Sequence, residues 1–161
     1  MYPALNLPRA ELSIRLSDQK PVVFDVCRRK YVRLTPEEWV RQNMLHYLID
    51  NLNYPKGMVA TECSLTFNGM SRRADIVAFG APSRPLLIVE CKAPGVAVGG
   101  RTVEQALRYN VQLGPACVAV TNGLTHFCLL ASGTGLTKLD HIPDWAELNA
   151  LGRRASMACD E

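Results

Sequence analysis

Asp75, Glu90 and Lys92 are the residues whose types and spacing can carry chemistry in this chain. They lie in the stretch RRADIVAFGAPSRPLLIVECK, residues 72–92, where two apolar runs, 74–79 and 86–89, flank a Gly-Ala-Pro-Ser-Arg-Pro turn. That pattern predicts adjacent antiparallel strands. Antiparallel partners keep a constant index sum. A turn centred between Pro82 and Ser83 sets the sum at 165, which Asp75 and Glu90 share. Residues directly opposite lie on one face of a sheet, as do residues two apart on one strand. Asp75, Glu90 and Lys92 therefore converge on one side, at the end away from the turn.

Both strands are apolar on both faces, so they read as central and buried. Like charges directly opposite destabilise a sheet, and an unpaired buried carboxylate costs more. Lys92 supplies one neutralising charge, and a divalent cation would supply the rest. Mg²⁺ takes oxygen ligands, commonly one or two carboxylates with water and substrate phosphate. The backbone carbonyl of Cys91 can join such a shell, while its side chain points to the opposite face. The parts suit metal-assisted phosphodiester hydrolysis, with Lys92 orienting or deprotonating a water or neutralising developing charge. The alternative is a buried Asp–Lys–Glu salt-bridge cluster with no chemistry.

The elements that must position these residues can be read on either side. Extended pieces at 11–16, 22–26 and 31–34 predict a small antiparallel sheet, with turns at Asp18-Gln19-Lys20 and at the basic Arg28-Arg29-Lys30. Thr35-Pro36-Glu37-Glu38 is a strong helix start, with Thr35 as N-cap and Glu38 at the capping-box position. An apolar face follows through Leu45, Leu48, Ile49 and Leu52, with Arg41 inside it. Glu37 and Glu38 flank that face about equally, so either can point at the sheet, and either can simply cap the helix. A strand at 58–67 leads through Asn68-Gly69 into the central hairpin. A second helix is predicted at 101–113 with Thr102 as N-cap, and Gln105 and Tyr109 share a face of it. Strands at 116–121 and 125–130 enclose Asn122-Gly123, and a short helix at 144–151 follows. One domain is expected: an N-terminal β extension (1–34), a core (35–131) and a C-terminal tail (132–161). Its class is α/β, a mixed sheet flanked by helices.

At 161 residues and 48% hydrophobic content the chain can bury a full core, and its net charge of +3 permits a polyanionic partner without demanding one. No signal-peptide pattern or membrane-length apolar run is present, which predicts a cytoplasmic protein. The six cysteines form no Cys-x-x-Cys pair, so zinc spacing is absent and reduced core thiols are expected. Gly95–Thr102, GVAVGGRT, imitates a phosphate-binding loop, but Arg101 replaces the compact lysine and no second strand supplies a magnesium-holding aspartate.

Ala74-Asp75 followed by Glu90-Cys91-Lys92 resembles the PD-(D/E)xK nuclease superfamily, with alanine in place of the first proline. More closely, the chain is similar to the N-terminal nuclease domain of type I restriction enzyme R subunits, in its small stand-alone bacterial form. The similar pieces are LTPEEWVRQ (34–42), YPKG (54–57), RADIVAF (73–79), PLLIVECKAPGV (85–96), EQALRYN (104–110) and VTNGLTHFC (120–128). The resemblance implies a restriction-endonuclease-like fold and a Mg²⁺- or Mn²⁺-dependent DNA endonuclease. In it Asp75 and Glu90 would be metal ligands and Lys92 the catalytic lysine. Gln105 and Tyr109 would form a Gln-x-x-x-Tyr element supporting the site and DNA contacts. Arg72 and Arg73 are further candidate DNA contacts. A first-helix glutamate, Glu37 or Glu38, would complete the ligand set. Restriction-modification subunits are the implied protein partners. R subunits continue into a helicase motor, which no part of these residues resembles. A non-catalytic nucleic-acid or protein-binding module on the same fold is the competing expectation.

Overall fold

A computed structural model describes residues 2–67, 69–80, 84–101, 103, 104, 106, 114–132 and 135–157. Three short strands, β1 (Ile14–Ser17), β2 (Lys20–Asp25) and β3 (Lys30–Arg33), form the predicted antiparallel sheet in that order. Its turns fall at Asp18-Gln19 and around Arg28-Arg29, and Asp18, Gln19 and Arg29 carry positive φ of 50°, 61° and 54°.

Helix α1 (Pro36–His46) starts as its sequence predicts, with Glu38 N donating to Thr35 Oγ1 at 3.1 Å. The Glu38 carboxylate does not turn back to complete a capping box. It accepts instead from Arg28, Arg41 and Gln42. Arg41 and Gln42 are buried and need an acceptor more than an exposed first-turn amide does. The helix runs on into a π turn, Tyr47–Asn51. Val40, Met44, Leu45 and Leu48 are fully buried along one face. Each such side chain contributes about 1.5–3 kcal/mol through burial.

The main sheet has six strands in chain order: β4 (Val59–Phe67), β5 (Met70–Gly80), β6 (Arg84–Cys91), β7 (Cys117–Thr121), β8 (His126–Ser132) and β9 (Gly135–Leu139). Every pairing is antiparallel except β6 with β7, which is parallel. A parallel pair needs a crossover, and the intervening Gly100, Arg101, Val103, Glu104 and Ala106 are helical. Gly100 is already in that helix, so it begins ahead of the predicted cap; Thr102 itself and 107–113 lie outside the described residues. Strand β9 departs from the expected tail. It pairs with β8 at the sheet edge, and four of its five residues are exposed, so the apolar alternation that marks a half-buried strand is missing. Helix α2 (Trp145–Met157) is longer than its predicted span.

Leu86, Leu87, Ile88 and Val89 on β6 are all buried, because both faces of the sheet are covered. Ile76, Ala78, Leu87, Val89 and Cys91 pack with α1 and with Leu148 of α2, while Ala74, Val77 and Ile88 pack with Cys63, Leu65 and Phe79. The acidic residues of the hairpin thus stand at the end of a largely buried strand, β6, and its neighbour β5.

Candidate active site

The β5–β6 register carries the index sum 165 through Ile76↔Val89, Val77↔Ile88 and Ala78↔Leu87. Phe79 then pairs with Pro85, which leaves Leu86 as an extra residue on β6 near the turn. The irregularity is confined to the turn end. At the other end the ladder runs to Ile76↔Val89, and Asp75 and Glu90 are the next residue on each strand beyond it.

Asp75 is held at both oxygens: Oδ1 accepts from Arg41 Nη2 at 2.8 Å, and Oδ2 from the backbone N–H of Cys91 at 2.6 Å. Glu90 Oε1 accepts from Lys92 Nζ at 2.7 Å. Burial, and then the Asp75 charge, raise the Glu90 pKa despite the lysine. Burial works against the Lys92 charge, but the bond to Glu90 outweighs it and the lysine pKa is raised. The Lys92 N–H donates to Thr121 O at 2.8 Å, which ties the lysine backbone to the end of β7. The Cys91 side chain is fully buried in the core against α1, and burial followed by the Asp75 charge pushes its thiol well up. A thiol so placed is inert.

The first-helix glutamates meet this group through Arg41. Glu37 is half-exposed, with Oε1 3.1 Å from Arg41 Nη2, whereas Glu38 is buried and bonded to Arg41, Arg28 and Gln42. Arg73 is exposed and its Nε lies 2.8 Å from Glu62 Oε2. The Arg72 backbone pairs with Leu65; its side chain, like Gln105 and Tyr109, lies outside the described residues.

Three residues central to this network were not singled out as site residues from the sequence. Arg41 contacts Glu37, Glu38, Glu62 and Asp75 together. Its signal is an arginine on an apolar helix stripe, a charge that cannot be buried without partners. Glu62 falls between the pairs Thr61↔Ile76 and Cys63↔Ala74, as Asp75 does on β5. Asp25 is fully buried at the end of β2 and accepts from Cys27 N, Arg28 N, Arg28 Nε, Gln42 Nε2 and Thr61 Oγ1 at 2.8–2.9 Å. Burial pushes its pKa up, but the Arg28, Thr61 and Gln42 bonds outweigh that and the net shift is downward.

Asp25, Glu37, Glu38, Glu62, Asp75 and Glu90 are thus set against Arg28, Arg41, Arg73 and Lys92. That balance leaves two negative charges. Among the described residues no three His, Cys, Asp or Glu side chains form a ready metal cage. Two hard carboxylates do fit Mg²⁺, which keeps several waters and needs few protein ligands. A carboxylate oxygen with one donor retains a further lone-pair site, so Asp75 can still reach an ion.

The family model described as type I restriction enzyme R protein N terminus (HSDR_N) matches residues 36–143. Among solved structures, a fragment described as an HsdR subunit of a type I restriction enzyme from Vibrio vulnificus YJ016 matches with a TM-score of 0.60 at 19% identity. That match covers 77% of this chain and 26% of the other, so this chain spans about a quarter of its length. At that identity the likeness carries the fold. No curated protein matches the chain. Asp75, Glu90, Lys92 and Arg41 all fall within the matched segment, which runs from the first turn of α1 through β9. The chain belongs to the type I restriction enzyme R protein N-terminus family.

Proposed function

We propose that the domain is a Mg²⁺- or Mn²⁺-dependent DNA endonuclease acting in the cytoplasm with restriction-modification subunits. The observation that supports it is the place of Asp75 and Glu90 just beyond the last ladder pair of β5–β6, Ile76↔Val89, with Lys92 bonded to Glu90. Asp75, Glu90 and the Cys91 carbonyl would hold the cation. Glu37 or Glu38 would join only through movement of Arg41, which engages both. When bound, the cation supplies charge stabilisation at the phosphoryl oxygens and a water of lowered pKa. Lys92 orients that water, or neutralises charge on the scissile phosphate. Gln105 supports the lysine, and Arg72, Arg73 and Tyr109 contact DNA. Among the described residues no helix is long and apolar enough to cross a membrane.

One observation favours a second reading, a non-catalytic nucleic-acid or protein-binding module: both Asp75 oxygens already have donors. Cleavage assays separate the two. Wild-type protein with Mg²⁺ or Mn²⁺ is expected to cut plasmid, single-stranded or branched DNA, and Asp75→Ala and Lys92→Ala to cut none. Wild-type protein that leaves all three intact sinks the nuclease reading.

A further inference from the structure

Arg41 is 5% exposed on the apolar face of α1. Its Nη2 lies 3.1 Å from Glu37 Oε1 and 2.8 Å from Asp75 Oδ1, and its Nη1 reaches Glu38 and lies 2.8 Å from Glu62 Oε1. Burial works against its charge, and Asp75 and Glu38 lead the carboxylates that more than offset this, so its pKa is raised. A planar guanidinium can bridge these directions at once, whereas an ammonium is a single point charge. Among the described residues its buried Nε has no acceptor, so the guanidinium is placed for the contacts at its two Nη atoms.

An independent feature is the backbone of Glu62. Its φ is 51°, the left-handed region, in the middle of a strand. That conformation costs a non-glycine residue about 1–2 kcal/mol. Thr61 and Cys63 keep their partners Ile76 and Ala74, so the register does not slip and the distortion is local. Through it the Glu62 carboxylate reaches Arg41 on one side and Arg73 on the other. Strain of this kind persists where surrounding contacts require it, and it concentrates at functional sites.

We propose that Arg41, braced by Glu38 and by the strained Glu62, is a positioning residue that holds the Asp75 carboxylate in one orientation for the cation. The inference rests on Asp75 being a cation ligand. Arg41 contacts no reacting atom: it grips Oδ1 while the Cys91 N–H grips Oδ2, which leaves each oxygen a lone-pair site for the ion.

The test is an isothermal titration of the full chain with Mn²⁺, on wild type, Arg41→Lys and Glu62→Gly, with cation-free melting and cleavage kinetics on the same proteins. Arg41→Lys keeps the charge and loses the bridge. Glu62→Gly removes the brace at a φ that glycine adopts freely, so it remains informative if Arg41→Lys fails to fold. Both variants are expected to need about tenfold more Mn²⁺ for half-saturation, the usual scale for a residue supporting a metal ligand. The kcat is expected to fall by at least the same factor with the KM for DNA unchanged. Glu62→Gly is expected to melt no lower than wild type. Loss of melting temperature with an unchanged Mn²⁺ midpoint makes the brace merely structural and overturns the proposal. A wild type that binds Mn²⁺ while the variants bind it equally well overturns the positioning role alone. A wild type with no Mn²⁺ response overturns both this and the nuclease reading.

Discussion

Lys92 Nζ and Glu90 Oε1 stand 2.7 Å apart, joined across a single intervening residue whose own side chain points into the core. Both side chains are about three-tenths exposed, so the pair adds little to folding: partly solvated ion pairs contribute at most about 1 kcal/mol. Lys92→Met is therefore expected to leave urea unfolding almost unchanged while cleavage falls by about 10²-fold or more. Lys92→Arg is expected not to restore it, because a broad fork cannot replace a compact ammonium. Parallel unfolding and cleavage measurements check both.

Glu90 carries the least compensated carboxylate of the hairpin, its pKa raised by burial and by Asp75. The folded state then holds the proton at a pH where the unfolded chain has released it, and stability falls as pH rises above the ordinary value of 4.5. Glu90→Gln is expected to remove that fall, leaving the cation-free variant at least as stable as wild type at pH 7. The same substitution is expected to abolish stabilisation by Mg²⁺, which for wild type at 100-fold excess over Kd amounts to about 2.7 kcal/mol. Thermal melts with and without the cation at pH 4.5 and 7 read both effects.

Asp25 shows the opposite sign. Its folded pKa lies below the unfolded value of 3.8, so its contribution is full above that value and is lost as pH falls through the lower folded one. Asp25→Asn removes a buried charge that Arg28 pairs with, and is expected to cost about 3 kcal/mol at pH 7. The cost is expected to shrink below pH 4, where wild type loses the same charge. Urea unfolding across pH 2.5–7 (about that range, set by the acid limb) gives the comparison.

Arg73 is the candidate DNA contact whose side chain is described, exposed and tethered to Glu62. Arg73→Ala is expected to weaken DNA binding evenly across sequences and to reduce the salt slope of the binding constant by about one. An unchanged slope in a fluorescence-anisotropy titration removes Arg73 from the interface.

How far the site can be read from sequence depends on turns and on one helix face. The turn centred between 82 and 83 gives the sum kept by Ile76↔Val89, Val77↔Ile88 and Ala78↔Leu87, and the β6 bulge lies at the turn end, away from Asp75 and Glu90. The same arithmetic on Asn68-Gly69 gives 137, the sum kept by every pair from Val59↔Ala78 to Phe67↔Met70, and it brackets Glu62 and Asp75 between Thr61↔Ile76 and Cys63↔Ala74. Glu62 was therefore findable by position. Its left-handed backbone was not, because glutamate has no preference for that region. Arg41 announced itself as a charge in an apolar stripe, but the identity of its four partners depends on how α1 packs on the sheet. Asp25 is remote in sequence from Gln42 and Thr61, and only tertiary packing joins them. Strand β9 carries no alternation to read, because an edge strand need not alternate.

The one parallel pairing of the sheet has a kinetic consequence. Strands β5 and β6 meet through a short turn, but β6 finds β7 only after a detour from Leu87 to Cys117. Closing the longer loop costs more chain entropy before any contact repays it. The strands that carry the two carboxylates are consequently paired early on the folding route, whereas the Lys92 amide, whose acceptor is Thr121, waits for the crossover to dock. In a pulse-labelling exchange experiment that amide would be protected with β7, later than the interior of the hairpin it extends.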